Sequence, residues 1–393
     1  MRRIRVLVVD DAVVVRRMVT DVLAADPEID VVGTAANGRI ALQKITQLTP
    51  DLITLDVEMP EMDGLTTISE IRKTWTTMPV IMFSTLTERG GQSTLEALSR
   101  GATDYVTKPA NVGSVTVAQQ RIRDELIPKI KGLCAGILAQ AAQLAAPAAV
   151  PRTTAPTAAA PAARPLTGLT GAFDLAPTPL SPLAPRVVAI GSSTGGPNAL
   201  IEVIPKLPAL FPVPVVITQH MPPMFTRLLA DRLSNLSRVP VREAQEGDVI
   251  RPGTVWVAPG DHHLVLKRVE DKVIATLTQA PPENSCRPSV DVMMRSVVEC
   301  YGAQVLAVIL TGMGQDGLRG CELVHDTGGG VLAQDEASSV VWGMPGFVAK
   351  AGIANAVLPL PQVAPSIIAR VLHPVLSTAP SPSLAASAGA PWR

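Results

Sequence analysis

The 393-residue sequence has few aromatic residues, and its charges cancel. Aromatic residues make up 3% of the chain and hydrophobic residues 47%, so aliphatic side chains must form most of any core. Lysine plus arginine and aspartate plus glutamate number 34 each, which leaves no overall charge to attract nucleic acid or an anionic membrane. We therefore expect protein or small-molecule partners and no nucleic acid.

Cysteine patterns typical of metal or redox sites are also missing. The four cysteines, Cys134, Cys286, Cys300 and Cys321, form no C-x-x-C pair and show no other metal-ligand spacing. We interpret them as reduced thiols of a cytoplasmic protein that pack as small apolar side chains.

No apolar run has the length and density of a signal peptide or a membrane helix. The run at 6–9 stops at two aspartates, and the uncharged stretch at 132–151 is rich in alanine and glutamine with prolines. The sequence therefore predicts a cytoplasmic protein that does not insert into a membrane.

Composition divides the chain into two ordered parts and a linker. Residues 126–185 contain a predicted helix end and then Pro/Ala-rich sequence, which buries too little apolar surface to offset its ordering entropy. We predict a first domain at 1–125, a linker at 126–185, a second domain at 186–372 and a disordered tail at 373–393.

Both domains alternate short aliphatic runs with longer amphipathic segments, which is typical of α/β folds. In the first domain, the runs predict a five-stranded, doubly wound parallel sheet with strands at 4–9, 31–34, 52–55, 80–83 and 104–107. In the second, they predict a doubly wound, mostly parallel sheet with strands at 187–190, 215–219, 305–310 and 331–334. Turn signals predict an antiparallel insertion at 241–278.

Acidic residues follow two predicted strands of the first domain. Asp10 and Asp11 come directly after the first strand and Asp56 after the third, so their carboxylates converge at the carboxyl edge of the sheet. Such a cluster needs a cation, and Mg²⁺ prefers oxygen ligands and keeps waters that phosphate oxygens can replace. Ser84 and Lys108 follow the fourth and fifth strands and suit phosphoryl oxygens. The alternative is that the acids only cap loops and solubilise an edge.

Three motifs resemble response-regulator receiver domains: VVDD at 8–11, DVEMPEMDG at 56–64 and YVTKP at 105–109. The resemblance covers the predicted first domain and implies that a histidine kinase phosphorylates Asp56. It also implies that Asp10 and Asp11, together with Asp56, hold Mg²⁺. Ser84 and Tyr105 would then report the phosphorylated state, with Lys108 beside the phosphoryl group.

A glycine- and serine-rich turn at 191–197 lies between a predicted strand and a predicted helix, with Pro197 suited to the first helical position. The turn contains G-x-S-x-G centred on Ser193, which would expose a hydroxyl and direct helix N–H groups at an oxyanion. By itself, the turn is equally compatible with phosphate or nucleotide binding.

A base and an acid at other strand ends favour nucleophilic catalysis. His220 directly follows the second predicted strand of this domain and therefore reaches the same sheet edge as Ser193. Asp316 lies in a glycine-rich loop after the next parallel strand and could orient the imidazole. The alternative for Asp316 is an N-cap of the helix from Leu318. The order Ser, His, Asp differs from that of α/β-hydrolases, so we predict a convergent triad on a different sheet.

Four segments together resemble the catalytic domain of chemotaxis protein-glutamate methylesterases: IGSSTGGP at 190–197, QHMP at 219–222, VAPG at 257–260 and LTGMGQDG at 310–317. The resemblance implies that Ser193 is the nucleophile, His220 the base and Asp316 its orienting acid. Thr194 and the backbone amide of Met313 would line the site and the oxyanion hole. The implied reactions are hydrolysis of γ-glutamyl methyl esters on chemoreceptors, without a cofactor, and deamidation of receptor glutamines.

Two other classes of function have their own sequence signatures. A phosphorylation-dependent binding module would show a broken triad, and a transcription regulator would need a basic recognition helix after the linker. The sequence has neither feature.

Because a linker keeps the first domain at high effective concentration beside the second, we also expect the first domain to cover the active site until Asp56 is phosphorylated.

Overall fold

A computed structural model describes residues 2–108, 115–137 and 183–372 of the chain. Pro109 of the YVTKP motif, most of the predicted linker and the predicted tail at 373–393 lie outside these ranges. Across the described ranges, none of the helices combines the length and the apolar character that a membrane crossing requires.

The N-terminal domain is a parallel five-stranded sheet with helices on both faces, as predicted. The strands are β1 (Ile4–Val9), β2 (Ile29–Ala35), β3 (Leu52–Asp56), β4 (Val80–Ser84) and β5 (Asp104–Thr107). Their order in the sheet is β2-β1-β3-β4-β5. The helices are α1 (Val13–Ala24), α2 (Gly38–Leu48), α3 (Gly64–Thr74), α4 (Glu88–Ser99) and α5 (Val115–Leu133). Helix α5 therefore crosses the boundary predicted at residue 125.

Alternate side chains of β1 supply the two cores of this domain. Val6 and Val8 belong to the cluster that α1 and α5 cover, whereas Leu7 and Val9 belong to the cluster beneath α2, α3 and α4. All four are buried, because successive residues of a strand point to opposite faces of the sheet. A strand covered on both faces needs apolar residues throughout, which explains the continuous aliphatic runs.

The C-terminal domain is built on a seven-stranded sheet whose neighbouring strands are all parallel, in the order β14-β13-β12-β6-β7-β9-β8. Its strands are β6 (Val187–Ser192), β7 (Val215–Gln219), β8 (Val241–Glu243), β9 (Val255–Val257), β12 (Val305–Ile309), β13 (Gly330–Gln334) and β14 (Ala356–Leu358). Its helices are α6 (Gly196–Val203), α7 (Phe225–Leu236), α8 (Val290–Tyr301), α9 (Leu318–Asp326), α10 (Met344–Lys350) and α11 (Leu360–Leu372).

The antiparallel insertion is shorter than predicted. Only β10 (His263–Val269) and β11 (Lys272–Thr278) form an antiparallel hairpin, and β8 and β9 instead extend the main sheet in parallel. Strand β9 is buried along its whole length, which suits an internal position in a covered parallel sheet. Turn residues indicated where the chain reverses but not which strand each segment would join.

Strand β6 lies where the winding of the C-terminal sheet changes direction. Its neighbours are β7 on one side and β12 on the other. In open parallel sheets, the loops that diverge from such a point leave a crevice at the carboxyl edge, where ligands bind. The fold thus directs the loops after β6, β7 and β12 to one place.

The contacts between the two domains include α4 and β5 of the first and α6 and α7 of the second. The ring of Tyr105 at β5 stacks on the ring of Phe225, with centroids 4.9 Å apart and planes 4° apart. The side-chain amide of Asn198 donates a hydrogen bond to the carbonyl of Ala102 at 3.4 Å. The contact therefore combines aromatic packing with polar pairing.

We predict that Gly64→Ala lowers the free energy of unfolding by about 1–3 kcal/mol, because it overpacks the β3–α3 connection. A Cβ at Gly64 would lie 2.3 Å from the carbonyl oxygen of Asp56 and 2.9 Å from Cα of Val57, and neither backbone atom can rotate away. Urea denaturation followed by circular dichroism measures the change. In the control, Gly136→Ala, the new Cβ meets no atom within 4 Å. Equal stability of the two variants would contradict the prediction.

Candidate active site and phosphoacceptor site

The three predicted metal-ligating aspartates lie together at the carboxyl edge of the N-terminal sheet. One ligand oxygen from each of Asp10, Asp11 and Asp56 lies within 4.8 Å of the others. The ammonium of Lys108 lies 2.9 Å from Asp10 Oδ2 and 2.7 Å from Asp56 Oδ2. The predicted convergence of these four side chains is therefore present.

The acidic cluster carries more negative charge than its one ammonium neutralises. Burial raises the pKa of Asp56 to about 6 and also raises the pKa of Asp10, while the ion pairs with Lys108 act in the opposite direction. Three carboxylates and one lysine leave a net negative charge among hard oxygen donors. These residues fit a divalent cation such as Mg²⁺.

The predicted switch residues face away from the acidic cluster. The hydroxyl of Ser84 donates to the carbonyl of Gly90 in α4 at 3.0 Å, and the ring of Tyr105 is directed at the C-terminal domain. Thr85 is the hydroxyl residue that lines the cavity with Asp56 and Lys108. The sequence did not single out Thr85, because it follows the residue at the strand end.

The predicted triad residues follow three adjacent strands of the C-terminal sheet. Ser193 comes directly after β6, His220 directly after β7, and Asp316 lies in the loop after β12. The backbone N–H of Ser193 donates to the carbonyl of Thr311 at 3.0 Å, and the side-chain amide of Gln219 donates to the carbonyl of Ser193 at 3.0 Å. The serine turn is thus tied to both neighbouring strand ends.

Glycine allows the loops to approach Ser193 closely. A Cβ at Gly312 would lie 2.9 Å from Cβ of Ser193, so the loop after β12 can reach the serine only without a side chain there. Gly195 has φ = 77°, a left-handed conformation that suits glycine and turns the chain into α6. The sharp strand-to-helix turn predicted from G-x-S-x-G is present.

A short hydrogen bond joins the predicted base and acid. Nε2 of His220 lies 2.8 Å from Oδ2 of Asp316. Because an ionised carboxylate can only accept, Nε2 donates this hydrogen bond, and in the neutral imidazole Nδ1 therefore keeps its lone pair. The arrangement selects the tautomer in which Nδ1 can accept a proton.

The carboxylate of Asp316 is held by the start of α8. The backbone N–H groups of Val290 and Asp291 donate to it at 2.7 and 3.1 Å, and the hydroxyl of Ser289 donates at 2.8 Å. The side-chain amide of Asn284 donates a further hydrogen bond at 2.9 Å. The alternative role of Asp316, as an N-cap of α9, is wrong, because its carboxylate caps a helix from another part of the chain.

Burial and hydrogen bonding act in opposite directions on the His220–Asp316 pair. For Asp316, burial favours the neutral acid, but the hydrogen bonds from His220 and α8 outweigh it and hold the pKa well below its usual range. For His220, burial lowers the pKa and the hydrogen bond to Asp316 raises it, with a net upward shift. The pair therefore stabilises an imidazolium beside an ionised carboxylate.

Cys286 lies against the same imidazole, which the sequence did not predict. Its Sγ is 3.5 Å from Nδ1 of His220. The interpretation of the cysteines as buried packing residues is confirmed for Cys134, Cys300 and Cys321 and is wrong for Cys286, which is only half-buried. A lone cysteine in an irregular segment carries no spacing signal that would have revealed this contact.

A cavity of about 760 Å³ lies over Ser193 and His220, between the two domains. Thr194 and Met313 lie in its wall with Ser193 and His220, while Tyr105, Arg121, Asp124, Glu125 and Lys129 enclose it from the N-terminal domain. The position of Gly132 in α5, where an added Cβ would be 3.3 Å from Sδ of Met313, places that helix directly against the loop after β12. The N-terminal domain is thus part of the cavity wall.

We predict that Asp56→Asn raises the free energy of unfolding at pH 7 without divalent cations by about 1 kcal/mol. Because the pKa of Asp56 is raised from 3.8 to about 6, the folded chain binds this proton where the unfolded chain has lost it. The contribution of Asp56 to the free energy of unfolding therefore falls as the pH rises from about 4 to about 6. At pH 7 the carboxyl is ionised in both states, and its full destabilising effect is present. The gain is small because the substitution also removes the ion pair between Asp56 and Lys108.

Urea denaturation in EDTA at pH 7 and at pH 4 measures this gain. The exposed Glu61→Gln is the matched control and should change stability little at either pH. A destabilised Asp56→Asn protein, or a gain equally large at pH 4, would contradict the electrostatic explanation.

Comparison with known proteins identifies both domains. Residues 6–119 match the family described as response regulator receiver domain, and residues 188–367 match the family described as CheB methylesterase. A crystal structure of the Thermotoga maritima CheB methylesterase catalytic domain is 45% identical, covers 47% of this chain and 98% of that chain, and gives a TM-score of 0.46.

Curated relatives match along nearly the whole chain. A protein-glutamate methylesterase/protein-glutamine glutaminase of Trichodesmium erythraeum is 50% identical over 94% of this chain and 100% of its own length. A protein of the same name from a Nocardioides species is 51% identical over 97% of this chain and 99% of its own length. The chain therefore belongs to the protein-glutamate methylesterase/protein-glutamine glutaminase family, in which a response-regulator receiver domain precedes a CheB methylesterase domain.

Proposed function

We propose that this chain hydrolyses γ-glutamyl methyl esters on methyl-accepting chemoreceptors, releasing methanol and leaving glutamate. Deamidation of receptor glutamines to glutamate, with release of ammonia, is proposed for the same site because both reactions are acyl transfers at a γ-carbonyl. The 2.8 Å hydrogen bond between His220 and Asp316, beside the turn that carries Ser193, is the observation that carries the proposal. It supports general-base catalysis next to a serine hydroxyl.

In the proposed mechanism, Ser193 Oγ attacks the ester carbonyl while Nδ1 of His220 takes the hydroxyl proton. The carboxylate of Asp316 stabilises the imidazolium, and the backbone amide of Met313 with Thr194 stabilises the oxyanion. His220 then gives the proton to the departing methoxide, so that methanol leaves and an acyl-enzyme remains on Ser193. Water, deprotonated by His220, attacks this ester, and His220 returns the proton to Ser193 Oγ as glutamate leaves. Apart from this water, side chains and backbone amides of the chain supply the groups in this scheme.

The receiver domain is proposed to take its phosphoryl group from the histidine kinase of the same signalling system. Asp56 would be the acceptor, and Asp10 and Asp11 would hold Mg²⁺ together with Asp56. When bound, the ion would neutralise charge on the phosphoryl oxygens. The ion pairs of Lys108 with Asp10 and Asp56 support the proposal that its ammonium pairs with the phosphoryl group.

Phosphorylation is proposed to open the active site by weakening the contact between the domains. The stack of Tyr105 on Phe225 and the packing of α5 near Met313 support this coupling. The hydroxyl of Ser84 is bonded to the carbonyl of Gly90 in the first turn of α4 and would have to turn toward the acidic cluster to reach a phosphoryl group on Asp56, which would break that bond and disturb the helix. Helix α4 contacts both α6 and α7 of the catalytic domain.

We predict that Ser193→Ala lowers the rate of methanol release from methylated receptor membranes by about 10³-fold or more. The adjacent Ser192 is the matched control, because its hydroxyl is buried and donates to Gln219 Oε1 at 2.7 Å. Ser192→Ala should keep most of the activity. Unaltered release by Ser193→Ala protein, or equal losses in the two variants, would contradict the assignment of the nucleophile.

We predict that Leu228→Asp raises methanol release by the unphosphorylated protein about fivefold or more. Leu228 in α7 lies against Gly91 of α4. A carboxylate at this position would lose its hydration while the two domains are in contact, which would weaken that contact. Leu236→Asp, at the exposed end of the same helix, is the control and should behave like the wild type. A small phosphodonor with Mg²⁺ should stimulate the control but add little to Leu228→Asp. An unchanged basal rate would count against occlusion.

A further inference from the structure

The contact between Cys286 and His220 is not used by the mechanism proposed above. Sγ of Cys286 lies 3.5 Å from Nδ1 of His220, the nitrogen whose lone pair the hydrogen bond to Asp316 leaves available. Sγ, an imidazole nitrogen and a carboxylate oxygen of Asp316 all lie within 4.8 Å of one another. A thiol therefore faces the catalytic base inside the active-site cavity.

The distance between Cys286 Sγ and His220 Nδ1 matches the distance between two ligand atoms on one zinc ion. With a Zn–S bond of about 2.3 Å, a Zn–N bond of about 2.0 Å and a tetrahedral angle, the sulfur and nitrogen atoms are about 3.5 Å apart. The distance between Cys286 Sγ and His220 Nδ1 is 3.5 Å, so neither side chain needs to move far. Thiolate and imidazole are also the donors that select Zn²⁺ over hard cations.

The surroundings of His220 are those of a metal-binding histidine. In metal sites, the second ring nitrogen of a ligating histidine usually donates to a carboxylate, which fixes the ring and increases the basicity of the ligand. Asp316 accepts that hydrogen bond from Nε2 at 2.8 Å and is itself held by the first amides of α8. The same carboxylate that prepares Nδ1 to accept a proton prepares it to bind a metal ion.

We propose that Cys286 and His220 form a Zn²⁺ site that switches off ester hydrolysis. Binding releases to solvent the thiol proton of Cys286 and, where His220 is an imidazolium, the proton on Nδ1, and water molecules complete the coordination from the cavity. The metal occupies the lone pair that His220 uses to deprotonate Ser193, so the base is lost while the ion is bound. The inhibitory effect rests on the proposed function, whereas binding of the metal does not.

This site differs in chemistry from the acidic cluster of the receiver domain. Asp10, Asp11 and Asp56 offer only oxygen ligands, which suit Mg²⁺, while the Cys286 site offers sulfur and nitrogen. A thiolate ligand gives Co²⁺ a charge-transfer absorption that oxygen ligands do not. The two sites can therefore be distinguished by spectroscopy in the full chain.

The first test adds Co²⁺ to the full chain in excess Mg²⁺ without oxygen and records the thiolate-to-cobalt absorption band. We expect the band to reach its maximum at one Co²⁺ ion per chain and to disappear when Zn²⁺ is added. The band should be lost in Cys286→Ser and His220→Ala and kept in Cys300→Ser. Circular dichroism checks that each variant is folded. Absence of the band in the wild type, or its persistence in Cys286→Ser, overturns the site whether or not the protein hydrolyses esters.

The second test measures methanol release as a function of free Zn²⁺, with each variant compared with its own metal-free rate. Cys286→Ser should raise the Zn²⁺ concentration for half-inhibition about tenfold or more, whereas Cys300→Ser and Asp56→Asn should leave it unchanged. Equal inhibition of Cys286→Ser and wild type overturns the proposal. A cobalt band in a protein that never releases methanol supports the site and refutes the proposed function instead.

Discussion

The buried carboxylate of Asp316 is the charge on which the catalytic site depends. Placing an ionised carboxylate in a protein interior costs several kcal/mol unless donors compensate it. Here the amides at the start of α8, the hydroxyl of Ser289, the amide of Asn284 and the ring of His220 all point at it. The same bonds fix the loop after β12 against α8 and direct the imidazole of His220. Stability of this loop and readiness of the base therefore have one physical origin.

The acidic cluster of the receiver domain has the opposite electrostatic character. Asp10 and Asp56 share a single ammonium, that of Lys108, and burial raises the pKa values of both carboxyls. Such a cluster is stabilised by a bound cation, and the proposed phosphorylation of Asp56 would draw Lys108 to the phosphoryl group. In the catalytic domain, hydrogen-bond donors thus balance the charge of the carboxylate that orients the proposed base. In the receiver domain, the carboxylates carry more negative charge than Lys108 balances, so the cluster can respond to a change of charge.

The cavity between the domains connects the two sites. Tyr105 belongs to the receiver sheet, yet its ring packs on Phe225 of the catalytic domain and borders the cavity that contains Ser193. A rearrangement at the carboxyl edge of the receiver sheet can therefore reach Ser193, the proposed nucleophile, through one side chain and the helices beside it. The cavity also exposes Cys286, so the two proposed controls, by phosphorylation and by Zn²⁺, would act on the same space.

The sequence by itself determined the parts of this protein that follow from periodicity. Continuous aliphatic runs predicted the strands, and because parallel strands end at a common edge, the residues after them, including Asp56, Ser193 and His220, could be placed together. Only the tertiary structure decided which partner each irregular segment meets. It showed β8 and β9 to be parallel strands, Asp316 to cap α8, and Cys286 to face His220, because such contacts depend on loop paths that leave no repeating pattern.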